Sequence, residues 1–538
     1  MFNKYVYTMY NCELVFELFP IKVKTMQRIA IIDIGSNSAR LVISHLYRNG
    51  AYNMVYNQKE SLRLSQHVDL NNMLTEEAFA STIETMKTFA HMCRIYKADK
   101  TIAVATAAIR NSLNGAELVA QVAEETGIQL HIISGNTEAY ISYLGVINTL
   151  DIKDGIIFDL GGGSTELILF RNRRLIESVS LPIGAVNTTY MFNTRNQLTP
   201  SMLSDVTAFI NSRLAQNPWL KQPNLPLIGV GGTARTVAKI IQRAKKYPTT
   251  KLHNYTYSAQ TYRSFFNKLR GTNLEQRTKI SGLSTERSDI ILAGSIIINC
   301  LVEAVGTKKL ITSGCGLREG LFYDYYSKTY DVPLIADDIL KRSRENVLKL
   351  YDNDFTHARH ITSLALSMFD GWKELHKLRK GYRPLLETAA LLHDIGITIN
   401  FYSHARHSAY MIQNAKLFGL SHKEQVICSV IAGWHNGPSK NYFRDRFYKE
   451  LLTDSNWKVI TRLAVLLALA ESMDYSETRQ VTKIEARLSK KNALLYLHAK
   501  GAPNIEMHQL RGHLAWFKKT FGCELRVELA KGASQVSD

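Results

Sequence analysis

Two short segments of the chain each end an apolar run with an aspartate and then continue with small residues. They are residues 31–38, with the sequence IIDIGSNS, and residues 157–164, with the sequence IFDLGGGS. Each predicts a β-hairpin whose backbone N–H groups can approach phosphate oxygens closely, because glycine has no Cβ. Asp33 and Asp159 could hold a hard cation such as Mg²⁺ beside that phosphate. Two such loops facing each other predict a phosphate-handling cleft, and their repetition indicates a duplicated fold.

Six segments resemble, in their order and spacing, motifs of the exopolyphosphatase/guanosine pentaphosphatase (Ppx/GppA) family. These segments are residues 33–38, 105–110, 133–139, 159–166, 229–233 and 313–320. The resemblance covers residues 27 to about 325, and a weaker match continues to about residue 480. It implies the duplicated, ribonuclease H-like α/β fold that is shared by actin, Hsp70 chaperones and sugar kinases. It also implies phosphoanhydride hydrolysis and a homodimer.

Phosphoanhydride hydrolysis requires a cation, groups that absorb phosphate charge, and a base that orients water. Asp33, Asp159 and Glu166 are the candidate ligands for Mg²⁺, with Mn²⁺ as the alternative ion. Small residues and one arginine could contact phosphate, because backbone N–H groups, hydroxyls and a guanidinium all donate hydrogen bonds to its oxygens. These candidates are Ser36, Asn37, Ser38, Arg110, Gly161, Gly162, Gly163, Ser164, Thr165, Gly231, Gly232 and Thr233.

The candidate base is Glu138. It follows a predicted strand at 129–134 and lies at the start of a predicted helix. The resemblance implies that a glutamate at this motif position activates the attacking water. Thr137 and Tyr140 stand where relatives often carry another acid and an arginine, so the detailed phosphate contacts are expected to differ. The alternative is that Glu138 is only a favourable negative charge in the first turn of a helix.

A second set of possible ligands lies in the C-terminal half, where a histidine, a His-Asp pair on a predicted helix and a distant aspartate follow one another. This order resembles the metal-ligand pattern of HD-domain phosphohydrolases, and it implies a possible site for a second divalent metal. The candidate ligands are His357, His393, Asp394 and Asp474, with His407 and His435 nearby in the sequence. The alternatives are that these histidines are surface or capping residues, or that the region only extends a basic groove for a long substrate.

Composition narrows the class of protein. The chain has 538 residues, 45% of them hydrophobic and 21% charged, which predicts two to four globular domains. It contains no apolar run of about 18 residues, so we expect no membrane association. Six scattered cysteines without a C-x-x-C pair favour a cytoplasmic location and argue against disulfides or a zinc site. The net charge of +19 favours a polyanionic partner, although the basic clusters at 243–246, 377–383 and 440–449 could each be a solvated face.

Hydrophobic periodicity divides the chain into segments. Strand patterns at 27–47, 51–58, 101–105 and 155–160 alternate with helix patterns, including helices at 200–215 and 288–305 and one that starts at the N-cap Thr75. Amphipathic helices dominate after about residue 335, and strand patterns return at 493–498 and 525–529. Residues 1–25 are expected to be an extension that is disordered or not native. Two actin-like subdomains are expected at 26–148 and 149–328. A helical HD-like domain should follow at 335–480, and a small α+β segment at 481–538.

These features predict a cytoplasmic exopolyphosphatase that removes terminal orthophosphate from inorganic polyphosphate with the help of Mg²⁺ and Glu138. An alternative on the same site is hydrolysis of guanosine pentaphosphate (pppGpp) at its 5′ end, with guanosine penta- or tetraphosphate as ligands. A non-catalytic nucleotide- or alarmone-binding regulator is an alternative of another class. A polyanion- or RNA-binding protein would rest on charge alone, since no nucleic-acid-binding aromatic motif is present. A P-loop NTPase is disfavoured because no G-x-x-x-x-G-K-[ST] occurs.

Overall fold

The structure is a computed structural model that describes residues 26–69, 71–351, 355–438, 443, 446–489 and 492–530. The extension expected at 1–25 and two basic residues of the third cluster, Lys440 and Arg444, lie outside the described residues. Within the described ranges, no helix combines the length and the apolarity that crossing a membrane would require.

Residues 26–330 form two α/β halves, and the first half contains a five-stranded sheet with the order β3-β2-β1-β4-β5. Its strands are β1 (Met26–Ile34), β2 (Ala39–Tyr47), β3 (Tyr52–Glu60), β4 (Lys100–Ala105) and β5 (Leu130–Ile132). The first three strands are antiparallel, whereas β4 and β5 run parallel to β1. The helices are α1 (Glu76–Ile95), α2 (Ala107–Arg110), α3 (Gly115–Thr126) and α4 (Gly135–Ile147). Helix α1 begins as predicted, because the Thr75 hydroxyl accepts a hydrogen bond from the N–H of Ala78.

The second half repeats this topology in a six-stranded sheet with the order β10-β11-β9-β6-β7-β8. Its strands are β6 (Gly155–Leu160), β7 (Thr165–Arg171), β8 (Arg174–Leu181), β9 (Leu227–Val230), β10 (Tyr255–Ser258) and β11 (Lys309–Thr312). Three antiparallel strands are again followed by two parallel ones, with β10 added at the edge. The duplicated α/β fold predicted from the two hairpins is therefore confirmed.

The helices of the second half are α5 (Ala185–Met191), α6 (Pro200–Leu214), α7 (Gly231–Ala244), α8 (Ala259–Leu269), α9 (Leu274–Thr278), α10 (Ile291–Val305) and α11 (Leu317–Tyr330). The two halves exchange helices, since α4 packs its apolar face on the second sheet and α11 packs on the first. The crossing helices approach closely at two glycines. A Cβ on Gly145 would lie 2.0 Å from the Gly316 carbonyl oxygen, and a Cβ on Gly320 would lie 1.9 Å from the Ile141 carbonyl oxygen.

The C-terminal part is helical as predicted and ends in a three-stranded sheet with the order β12-β13-β14. Its helices are α12 (Ile339–Tyr351), α13 (Thr356–Gly371), α14 (Lys373–His376), α15 (Arg383–Leu391), α16 (His404–Asn414), α17 (His422–Gly433), α18 (Arg446–Leu451), α19 (Asp454–Ser472) and α20 (Asn504–Phe521). Its strands are β12 (Val481–Leu488), β13 (Asn492–Ala499) and β14 (Glu524–Leu529). One apolar core, which includes Trp372 and Phe517, joins these helices to the sheet.

Candidate functional site

The tips of the two repeated hairpins face each other across a cleft between the halves. The same turn closes both tips, where the N–H of a glycine donates to a serine carbonyl three residues later: Gly35 to Ser38 at 3.1 Å, and Gly161 to Ser164 at 3.0 Å. The loops approach so closely that a Cβ on Gly163 would lie 2.8 Å from the Ser36 hydroxyl oxygen. A side chain at position 163 would therefore require the Ser36 side chain to shift.

A third loop completes the cleft where helix α7 begins. Gly231 has a φ of 92°, which favours glycine, and a Cβ there would lie 2.6 Å from the Leu160 carbonyl oxygen. A Cβ on Gly232 would lie 2.1 Å from a nitrogen of the Arg287 guanidinium. The first N–H groups of a helix have no partner within the helix and favour anions. The N–H groups at this end of α7 are therefore suited to donate hydrogen bonds to phosphate oxygens.

Most of the predicted phosphate contacts line the cleft. They are Ser36, Asn37, Ser38, Gly161, Gly162, Ser164, Gly231, Gly232 and Thr233. Three predicted residues do not line it. The Thr165 hydroxyl donates to the Ile183 carbonyl, and the Gly163 carbonyl accepts a hydrogen bond from the Asn187 amide at 2.9 Å. The third, Arg110, binds Glu138 instead.

Glu138 lies in the first turn of α4, is 9% exposed, and lines the cleft. The Arg110 guanidinium donates to its carboxylate at 2.8 Å and to the Ile133 carbonyl at 2.9 Å. Burial raises the pKa of Glu138 to about 7, because the opposing effect of Arg110 is smaller and Asp159 and Asp33 raise it further. A base with a pKa near the working pH transfers protons most effectively. The geometry therefore suits Glu138 to the predicted role, with Arg110 as the residue that positions it.

Asp33 and Asp159 both line the cleft floor. Burial is the main cause that raises the pKa of each carboxyl group, and the Asp159 carboxylate accepts a hydrogen bond from the Ser142 hydroxyl at 2.7 Å. Mg²⁺ in phosphate-handling sites is usually held by one or two carboxylates together with water and substrate oxygens. Two adjacent carboxylates that are destabilised by burial fit such an ion.

Glu166, the third predicted ligand, does not line the cleft. It is 1% exposed and accepts a hydrogen bond from the Ser180 hydroxyl at 2.8 Å. Burial, followed by the negative charges of Glu138 and Asp159, raises its pKa well above the usual value. Its carboxyl group therefore lies behind Glu138, where it is placed to affect the base rather than to reach a cation in the cleft.

Sequence reasoning missed the positive charge of the cleft. Four half-buried arginines line it: Arg40, Arg235, Arg287 and Arg318. Burial, followed by repulsion from other arginines, lowers the pKa of Arg40 and of Arg287 to about 10. Guanidinium groups that repel one another favour a polyanion between them. Arg40 could have been found from the hairpin register, in which it pairs directly with Asp33.

The histidines predicted as ligands in the helical part do meet. His357, His393 and Asp394 come together, but Glu471 rather than Asp474 completes the group. The Glu471 carboxylate lies 2.9 Å from the His393 Nε2 and 3.4 Å from the His357 Nε2. Glu471 lies in the last turn of α19 and Asp474 lies two residues beyond its end; both approach this group, and Glu471 comes nearer to its centre.

Asp474 is placed behind the ligands. Its carboxylate lies 3.0 Å from the His357 Nδ1 and accepts a hydrogen bond from the Arg479 N–H at 2.6 Å. The expected helical position of the His-Asp pair is also wrong, because α15 ends at Leu391 and the pair occupies the turn that follows. Burial alone would lower the pKa of His357, but the carboxylates of Asp474, Glu471 and Asp394 outweigh that effect and raise the pKa to about 10, so this group attracts positive charge.

Comparison with known protein families gives two adjacent matches. The Ppx/GppA phosphatase family matches residues 42–329, and Ppx/GppA phosphatase domain III matches residues 339–511. A guanosine-5′-triphosphate,3′-diphosphate pyrophosphatase of Pseudoalteromonas translucida is 27% identical over 464 residues, which cover 83% of this chain and 88% of that protein. A bifunctional 3-dehydroquinate synthase/phosphatase of Fusobacterium nucleatum is 32% identical over 299 residues, 53% of this chain and 44% of that protein.

Solved structures agree with the fold. The crystal structure of an Aquifex aeolicus member of the Ppx/GppA family is 29% identical with a TM-score of 0.50, covering 57% of this chain and 99% of that one. A crystal structure of an exopolyphosphatase from Cytophaga hutchinsonii has a TM-score of 0.53 at 23% identity, covering 58% of this chain and all of that one.

Proposed function

Because the chain belongs to the Ppx/GppA phosphatase family, whose members hydrolyse phosphoanhydrides, we propose that it is an exopolyphosphatase acting on inorganic polyphosphate. One observation carries this choice of substrate. The cleft contains four arginines, three small-residue loops and a buried glutamate, but no aromatic ring is among the described residues that line it. A guanine base is commonly held by stacking on an aromatic ring, whereas a chain of phosphates needs only donors and positive charge.

The proposed reaction is attack of water on the terminal phosphorus. Glu138 accepts a proton from the water while the water oxygen bonds to the terminal phosphorus. The bridging P–O bond then breaks, and the shortened chain leaves with the electron pair of that bond. Arg110 holds the Glu138 carboxylate in place. The guanidinium groups of Arg235 and Arg287 and the N–H groups of α7 stabilise the charge that develops on the phosphate oxygens. Mg²⁺ on Asp33 and Asp159 would neutralise further phosphate charge.

A second candidate activity is hydrolysis of pppGpp at its 5′ end. It is favoured by the relative from Pseudoalteromonas translucida, which is named for a guanosine polyphosphate and matches over most of both chains. The same base and loops would serve, because both reactions break a terminal phosphoanhydride.

Competition between the two substrates tests this proposal. Purified full-length protein is given long-chain polyphosphate and pppGpp, separately and together, and phosphate release is measured from each. We expect a higher kcat/KM for polyphosphate. A higher value for pppGpp would select the second activity, and absence of release from both would rule out phosphoanhydride hydrolysis.

A further inference from the structure

The helical part contains a larger ligand cluster than the sequence predicted. Two groups of side chains bring their nitrogen and oxygen atoms within 4.8 Å of one another, and they share Asp394. The histidine cluster, as we call it, consists of His357, His393, Asp394, His404, His435 and Glu471. His404, and not the predicted neighbour His407, belongs to it.

The two oxygens of Asp394 face different histidines. Its Oδ2 lies 3.4 Å from the His393 Nε2 and 3.8 Å from the His357 Nε2. Its Oδ1 lies 3.3 Å from the His404 Nε2 and 3.6 Å from the His435 Nε2. A carboxylate with this arrangement is placed to bridge two cations, one on each side.

All four histidines have the same orientation. Each places its Nδ1 beside an acceptor: the Ala390 carbonyl at 2.7 Å for His393, the Ala432 carbonyl at 2.7 Å for His435, the Phe401 carbonyl at 2.9 Å for His404, and the Asp474 carboxylate at 3.0 Å for His357. Because these oxygens can only accept, each Nδ1 carries the proton. The Nε2 of each ring therefore faces the centre, where it offers a lone pair to a cation that takes the place of a second ring proton, as in metal-binding histidines.

Several atoms at the centre of the histidine cluster have no hydrogen-bond partner in the described part of the chain. Among the described residues, the His357 Nε2, the His393 Nε2, the Asp394 Oδ1 and the Glu471 Oε2 are buried without a hydrogen-bond partner. The Nε2 atoms of His404 and His435 lie 3.0 Å apart, and the Asn436 amide reaches His404 at 3.3 Å. Buried acceptors that face one another are destabilising unless a cation lies between them.

We infer that the histidine cluster holds two divalent transition-metal ions bridged by Asp394. Ions bound at ~2.0–2.2 Å with tetrahedral or octahedral angles separate neighbouring ligand atoms by roughly 3.0–3.5 Å. The measured separations around Asp394 and Glu471 run from 2.9 to 3.8 Å. Imidazole and carboxylate ligands without a thiolate suit Mn²⁺, Fe²⁺, Co²⁺ or Zn²⁺. Paired ions of this kind stabilise both the attacking and the leaving oxygen in phosphate ester hydrolysis.

The surface beside the cluster indicates the substrate class. Phe401 is 68% exposed and Tyr402 is 80% exposed, and the Phe401 ring centroid lies 5.9 Å from that of His404. Tyr475, directly after Asp474, is 56% exposed. Exposed aromatic rings beside a phosphate-binding centre favour a phosphate attached to a base that stacks on them. The substrate of this centre is a nucleoside phosphate monoester, in which water displaces the nucleoside oxygen from phosphorus and that oxygen takes up a proton.

The number of bound ions tests the centre directly. The full-length protein is stripped with a chelator, reloaded with Mn²⁺ and freed of excess ion, and bound metal and the EPR spectrum are measured. We expect two ions per chain with an exchange-coupled signal, one ion in His404→Ala, and none in Asp394→Ala. His407→Ala is the matched control and should keep two. One ion or none in the folded wild type, or two in His404→Ala, would overturn the bridged pair.

Activity is tested in a Glu138→Gln background, so that the cleft does not contribute. We expect Mn²⁺-dependent phosphate release from nucleoside monophosphates that is lost in Glu471→Gln, and a higher KM in Phe401→Ala with little change in kcat. Glycerol phosphate, which has no base, should be unaffected by Phe401→Ala. Absence of release with both ions bound would overturn the activity. Because the buried variants could misfold, thermal unfolding and polyphosphate hydrolysis by the same variants in a wild-type Glu138 background report on folding.

Discussion

The cleft and the histidine cluster leave opposite charges without partners. In the cleft, half-buried guanidinium groups such as Arg40 and Arg287 repel one another, and burial with that repulsion lowers the pKa of both. In the histidine cluster, the buried Nε2 atoms of His357 and His393 and a carboxylate oxygen of Glu471 have no hydrogen-bond partner among the described residues. One site therefore requires an anion from solution, and the other requires a cation. The two proposed phosphate-handling sites can thus be distinguished by the charge of the group that each still needs.

The two sites also differ in what builds them. The cleft is formed by loop backbone whose glycines allow close approach, as at Gly231 and Gly232. The histidine cluster is formed by side chains from separate helices and turns, oriented by hydrogen bonds behind them. Substitution in one site should therefore leave the other intact.

The largest expected effect is that of Glu138→Gln. An amide cannot accept the proton from water, so phosphate release from polyphosphate should fall by about 10²–10⁴-fold, as for loss of a general base. Binding of polyphosphate should change little, because the loops and arginines remain. Release is measured by phosphate detection and binding by displacement of a fluorescent polyanion. Glu124→Gln, at an exposed position on α3, is the control, and wild-type turnover in Glu138→Gln would refute the base.

Asp33→Asn and Asp159→Asn should each have the next largest effect. Each removes one of the two carboxylates at the cleft floor, so turnover should fall by about 10²-fold and the Mg²⁺ concentration for half-maximal rate should rise. Rates are measured across a Mg²⁺ titration. Full activity at low Mg²⁺ in either variant would contradict the two-carboxylate site.

Local features of the sequence predicted the fold and the loops of the cleft well. The repeated hairpins, the N-cap Thr75 and the strands near the C-terminus are confirmed, because each depends on neighbours within a few residues. Strand β12 was missed, although Ile484, Ala486 and Leu488 alternate with charged residues. This alternation spans only five residues, and most side chains of the strand are exposed or half-buried.

The residues that sequence could not assign come together over long distances. Arg287 reaches the cleft from a segment far from both hairpins, and only packing against Gly232 reveals it. Choosing Glu471 over Asp474 depends on how the last turn of α19 and the residues after it pack, because the two acids are only three positions apart. Spacing alone fits both residues equally well.

Substitution of the cleft arginines should have a smaller effect, which is on the binding of polyphosphate. Arg287→Gln or Arg235→Gln should weaken polyphosphate binding about tenfold at low salt, since each removes a charge-assisted hydrogen bond to phosphate. The plot of log affinity against log salt concentration should also become shallower, by about one unit of slope for each phosphate that is no longer neutralised. Binding is measured across a salt series, with Arg243→Gln, outside the cleft lining, as the control. An unchanged slope in both cleft variants would show that these arginines do not bind the polyanion.

The pH dependence tests how Arg110 acts. Activity of the wild type should rise as Glu138 ionises, with a half-maximal point near pH 7, because burial raises its pKa to about 7. Arg110 favours the ionised carboxylate, so Arg110→Gln should raise this pKa further and move the rise in activity to higher pH. Activity that is absent at pH 6.5 should return at pH 9 in this variant. A uniform loss at every pH would instead indicate that Arg110 contacts phosphate.

The smallest expected effect on the cleft is that of Asp394→Ala. The variant removes the residue shared by both ligand groups, so bound transition metal should be lost. Asp394 lies in the helical part and does not line the cleft, so the rate of polyphosphate hydrolysis should stay within about twofold of wild type, as for a site without shared partners. Metal content, thermal unfolding and phosphate release are measured on one preparation. If the folded variant lost polyphosphate hydrolysis together with its metal, the histidine cluster would be the site of that reaction, and the assignment of Glu138 as its base would be wrong.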